Sequence, residues 1–161
     1  MHPVVAPLAA AFRMNTRLYR NCLDGVDDEA ARRRPSGATN SLAFVALHLV
    51  DSRHFLAGML KAEATHPFAA LLQDARGIDN LVDIPRLTDI RDAWDAVSAV
   101  LETRLAALDE AELAAVSPQR FPLDDPTLAG AISFLATHDS YHVGQMALLR
   151  KYLGFEPMRY T

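Results

Sequence analysis

The chain has 161 residues, of which 50% are apolar and 22% charged, with a formal net charge of −4. That length suits one domain, 1–161, able to bury its own core, and the balance excludes a disordered or collagen-like chain. A single cysteine, Cys22, excludes an intramolecular disulfide and a cysteine-rich zinc site, and the acidic balance argues against a nucleic-acid partner. No apolar run reaches the roughly 18 residues of a membrane span, and no basic start leads into an apolar stretch. The expectation is a cytoplasmic protein with no membrane partner.

Apolar residues recur at helical spacing through four long segments, and none reads as a strand. The first predicted helix runs from Pro7 to Val26, with Leu8, Phe12, Asn15, Tyr19, Cys22 and Val26 on one stripe. Arg32, Arg33 and Arg34, followed by Pro35-Ser36-Gly37, read as a solvated turn. The second helix is predicted to start at Asn40 or Ser41, both good N-caps, and to end at Leu60. Lys61 to Pro85 then form a long crossover, with a short extra helix over Phe68 to Arg76. The third helix is predicted to follow Thr88 as its cap. It carries Ile90, Trp94, Val97, Leu101 and Leu108 and ends near Asp109. The fourth takes Asp125 as cap, Pro126 as first residue and Gly154 as stop. The expected fold is all-α, a four-helix bundle with a long crossover between helices two and three. Leu18, Leu23, Val100 and Leu105 lie off the main stripes, where they either widen the core face or serve a homodimer.

Chemistry enters where the stripes are interrupted. Leu128, Ala131, Leu135, His138, His142, Gln145, Leu149 and Leu153 share one face of the fourth helix. His138 and His142, four apart, project about 40° from one another, so both imidazoles can reach one metal ion. They can equally be core histidines bonded to backbone or water. His48 takes an apolar slot on the second helix, between Val45 and Ser52. A buried, unpaired imidazole costs free energy, so three on two apolar stripes favour one shared partner. His54 lies about 240° round from His48 and is expected not to be a ligand. His2 and His66, in a terminus and a loop, are expected at the surface, and Cys22 as a small buried hydrophobe. Asp139 either orients a ligand histidine or is an exposed helical carboxylate. Asn15 and Tyr19 either face the same cavity or are satisfied core polar groups. Gln145 and Ser52, each a turn from a proposed ligand, are read as lining a pocket at an open metal position, against an ordinary bonded core. Tyr141 is read as packing.

HDSYHVGQMALLRKYLG, from His138 to Gly154, resembles the last helix of the DinB superfamily, which reads H-x-x-x-H-x-x-Q before an apolar stretch. LAFVALHLVDSRHFLAGML resembles its second helix, where one histidine stands among apolar residues. The resemblance spans essentially the whole chain. It implies a bundle with a long crossover and one divalent ion held by His48, His138 and His142. Zinc or nickel are the leading candidates among metals that suit nitrogen ligands. The family includes transferases and isomerases that use bacillithiol or mycothiol. The resemblance therefore implies a small-molecule substrate, thiol-dependent transfer with a low-molecular-weight thiol, and a homodimer. Metal-dependent hydrolysis and a non-catalytic metal-binding stress-response bundle are the alternatives.

Overall fold

The computed structural model describes every residue except 74–76, 82 and 161. In chain order its helices are α1 (Val5–Leu23), α2 (Asp28–Arg32), α3 (Leu42–Met59), α4 (Ala69–Leu72), α5 (Leu87–Ala107), α6 (Glu110–Ala114) and α7 (Leu128–Tyr152). A 3-10 turn covers Ile78–Asn80, and Val116 bridges Thr127. Among the described residues there is no strand, so the chain is all-α. No described helix is long and apolar enough to cross a membrane.

The four long helices pack side by side. α1 and α3 each lie against both α5 and α7. α3 buries Leu42, Val45, Leu47, Leu49, Val50 and Leu56, which together point to several sides of the helix. A helix that is apolar around most of its surface sits centrally, and Ser52 and Arg53 are held inside the protein with it. Trp94 and Tyr19 stack at 4.0 Å in one part of the core. Leu56, Leu101 and Ile132 belong to the other.

Local chemistry sets most boundaries, and tertiary contacts move the rest. Ser41 caps α3 as expected, its Oγ accepting from the Phe44 N–H. α1 ends at Leu23 rather than Val26, because Gly25 adopts φ 69 and turns the chain, though Val26 is still buried. α5 starts at Leu87, so Thr88 is inside the helix and does not cap it. The Leu87 N–H is accepted by the Asp28 carboxylate at 2.7 Å, a cap supplied from α2. α7 starts at Leu128 with Thr127 as cap. Asp125 accepts instead from the Thr127 N–H and hydroxyl, and the Pro126 carbonyl accepts from Ser117. The short helix predicted over Phe68 to Arg76 is confined to Ala69–Leu72, and residues 74–76 lie outside the described ones. α2 and α6 were not predicted; α6 is held by a capping box between Asp109 and Glu112. Leu18, Leu23 and Leu105 are buried in the core, so they widen the core face and are not free for a partner.

Two glycines of α7 test this packing with opposite signs. A Cβ on Gly130 would lie 2.5 Å from the Asp125 carbonyl oxygen, whereas one on Gly144 meets nothing within 4 Å. Gly130→Ala is expected to destabilise by about 1–3 kcal/mol, as overpacking does. Gly144→Ala is expected to stabilise by about 0.5–1 kcal/mol through the lower chain entropy of alanine. Urea denaturation measures both, and equal shifts would contradict the close approach at Gly130.

Candidate metal centre

α3 contributes His48, and α7 contributes His138 and His142. One ring nitrogen from each lies within 4.8 Å of the others. The Nε2 atoms of His48 and His138 are 3.2 Å apart. Nitrogens bound to one tetrahedral zinc at about 2.0–2.1 Å are separated by about 3.3 Å, so this pair already has the spacing of two ligands. The rings meet edge to face, with centroids 4.4–5.1 Å apart. Edge-on approach brings ring nitrogens, rather than ring faces, to a common point.

The far ring nitrogens of His142 and His138 are engaged elsewhere. His142 Nδ1 lies 2.7 Å from Gln145 Oε1, while Gln145 Nε2 donates to the Tyr141 hydroxyl at 3.1 Å. With the amide oxygen facing His142, Nδ1 carries the proton and Nε2 keeps its lone pair. His138 Nδ1 lies 3.3 Å from Ser52 Oγ. Burial lowers the pKa of all three histidines. His138 falls to about 4, through burial and then the charges of His142 and His48. Imidazoles held neutral by burial, with one nitrogen each gathered at a common point, are the donor set a divalent transition metal requires, so the residues present fit such an ion.

A cavity of about 540 Å³ opens over His48 and His142, walled by Asn40, Phe44, Asp51 and Leu72. Gln145 and Ser52, read from the sequence as pocket-lining, sit behind the rings on their far nitrogens and not in this wall. Nor does Asp139 reach a ligand histidine. It is 1% exposed and bonds Arg53, whose Nε and Nη2 lie 2.9 and 2.8 Å from Oδ2. Burial pushes the Asp139 carboxyl up, against the pull of the guanidinium. Asn15 donates to Ser140 Oγ at 2.9 Å, and Tyr19 donates to the Ala46 carbonyl at 3.2 Å. Both bond core groups other than the histidines, and Asn15 Oδ1 is buried without a partner. Cys22 is buried, and burial pushes its thiol up to about 12.

Three site residues escaped the sequence reading. Arg53, also 1% exposed, donates to Thr16 Oγ1, Ser98 Oγ and the Phe12 carbonyl, and lies 3.6 Å above the Trp94 ring. A lone arginine inside an apolar helix, opposite a lone aspartate in another, was the available signal. His66 was expected at the surface. Its side chain is 14% exposed, Nε2 lies 3.1 Å from Asp51 Oδ1, and its ring stacks on His54 at 4.2 Å. Asp51 carries no local signal, because its partner arrives from the crossover. The His54 and His66 planes are 4° from parallel, and lone pairs in parallel planes do not meet on one ion. His54 stands outside the three-histidine cluster.

The fold and site define an all-α protein with a three-histidine centre beside a cavity. A sequence profile of the DinB superfamily matches residues 11–146, and the chain belongs to that superfamily. A crystal structure of a conserved protein from Enterococcus faecalis shares the fold, with a TM-score of 0.71 at 12% identity, over 95% of this chain and 98% of that one. A comparison with curated proteins finds no match.

Two measurements probe the core behind the centre. Arg53→Ala leaves a buried carboxylate without its partner and is expected to cost about 3–5 kcal/mol, while the Arg53→Met, Asp139→Leu double variant recovers much of that. Denaturant midpoints decide it, and simple additivity would refute the coupling. The second concerns His54, whose pKa burial and His66 lower to about 4. Against an unfolded value of about 6.5, a depressed histidine contributes stability above that pH and loses it as pH falls toward the folded value. In chelator-treated protein, His54→Gln is expected to flatten the fall in melting temperature between about pH 6.5 and 4. An unaltered slope would show that His54 does not titrate there.

Proposed function

We propose that this chain is a metal-dependent enzyme acting on a small molecule, most specifically in thiol-dependent transfer, through one divalent ion held by His48, His138 and His142. One observation carries the reading: three histidine nitrogens converge, two of the rings are fixed from behind by Gln145 and Ser52, and a cavity opens on the exposed side. Three protein ligands leave a coordination position for a substrate, unlike a closed structural site. Zinc and nickel are the proposed metals, since both accept imidazole. When bound, such an ion lowers the pKa of a thiol or water and polarises a carbonyl.

The chain's own residues do the rest. Gln145 holds the His142 tautomer, and Ser52 holds the His138 ring in place. Phe44 and Leu72 give the cavity an apolar side that displaces water from a bound molecule. Thiol transfer is favoured by the family resemblance, with a low-molecular-weight thiol as co-substrate. The four long helices are proposed to form the bundle of that family, in the cytoplasm. A homodimer is part of the reading, with Tyr141, Leu148 and Tyr152 supplying an exposed apolar stripe on α7. Sedimentation showing only monomer at micromolar concentration would remove it.

Elemental analysis and native mass of untagged protein are expected to give one divalent ion per chain. Replacement of His48, His138 or His142 by Ala is expected to remove most of it, and His54→Ala to keep it. Retention should fall as pH drops from below about 6.5 toward about 4, the value to which His138 is lowered, because protons compete for the same nitrogens. Equal losses from His54→Ala and His138→Ala would refute the assignment. Turnover of electrophiles with bacillithiol, mycothiol or glutathione, set against ester hydrolysis, separates transfer from hydrolysis. Inactivity in both with metal in place favours the non-catalytic reading.

A further inference from the structure

His66 is bonded at both ring nitrogens. The Phe68 N–H donates to Nδ1 at 3.3 Å, so the neutral ring carries its proton on Nε2. That Nε2–H donates to Asp51 Oδ1 at 3.1 Å, and the ring is clamped by the His54 face. One oxygen of Asp51 is thereby fixed from behind by a residue of the crossover. The carboxylate is nevertheless 48% exposed, and it lines the cavity over His48 and His142. Asp51 stands three residues after His48, which sets their Cβ atoms about 5–6 Å apart on one side of α3. Among the described lining residues it is the only charged side chain. Asn40 adds an amide and Phe44 an aromatic ring to the same wall.

We infer that Asp51, oriented by His66, is a specificity residue that selects small molecules carrying a cationic group near their metal-binding end. The inference rests on the metal-site reading above. A carboxylate already bonded on one oxygen needs no reorganisation to accept an ammonium N–H on the other. Phe44 adds an aromatic ring to the lining of the same cavity.

The test uses three hydroxamates of matched length, because hydroxamates bind divalent metals without any thiol chemistry. They are 3-aminopropanohydroxamate, butanohydroxamate and the monohydroxamate of succinic acid, with ammonium, methyl and carboxylate ends. Calorimetry on the zinc-loaded full chain is expected to rank them in that order, with the ammonium probe about fivefold tighter than the methyl probe. Asp51→Asn should bring those two within about twofold while zinc content stays at the wild-type level. His66→Ala should weaken the preference, and His66→Gln, which can still donate to Asp51, should restore it. Equal binding of all three probes, or a preference that survives Asp51→Asn, overturns the inference. So does failure of every probe to bind zinc-loaded protein, which leaves the metal reading intact. A chain that retains no zinc overturns that reading and the inference with it.

Discussion

The buried Arg53 guanidinium is the interaction on which the arrangement depends, because it touches all four long helices. It lies on α3, pairs with Asp139 of α7, donates to Phe12 and Thr16 of α1, and packs on Trp94 and Ser98 of α5. A planar fork with five N–H donors satisfies so many partners only at one relative placement of the helices. Hydrophobic contacts alone do not impose such a restriction, since they are non-directional and tolerate sliding. A buried ion pair is a weak source of net stability, as desolvation opposes its attraction. Its consequence here is geometric.

The geometry reaches the histidines through adjacent residues. Ser52 and Arg53 are consecutive on α3, and they face His138 and Asp139, consecutive on α7. One rung is a charged pair in the core; the next is a hydroxyl against a ligand ring. A slip of α3 along α7 by even one residue would break both and carry His48 about 1.5 Å along the helix axis. Metal ligands tolerate displacements of only about 0.2 Å. The core pair therefore fixes, from outside the three-histidine cluster, the relative placement of its rings.

What the sequence discloses follows from how local each signal is. His48, His138 and His142 stand out because each replaces an apolar residue on a periodic stripe, and the stripe is written in the helix itself. Ser41 as a cap is equally local. The α5 start is not, since its cap is Asp28, far away in the chain. Arg53 lies about 140° round α3 from His48, off the stripe that drew notice. On a helix that is apolar nearly all round, the stripe is a poor guide to what is buried. Asp139 could be placed near a ligand by spacing, but not its direction. Its neighbour on α7 differs from the one across the core, and only packing decides which it meets.

Two aspartates, each within a turn of a ligand histidine, show how surroundings assign different roles to one side chain. Asp139 faces inward, is buried with a guanidinium, and has no access to solvent or to a bound molecule. Asp51 faces the cavity, bonds a neutral imidazole through one oxygen, and is half open to solvent. Coulomb attraction grows as the local dielectric falls, so the buried pair is stiff, and the exposed carboxylate keeps capacity to exchange partners. The helix period separates the two tasks: Asp139 follows His138 by one position and turns into the core, while Asp51 follows His48 by three and stays on the side of the cavity.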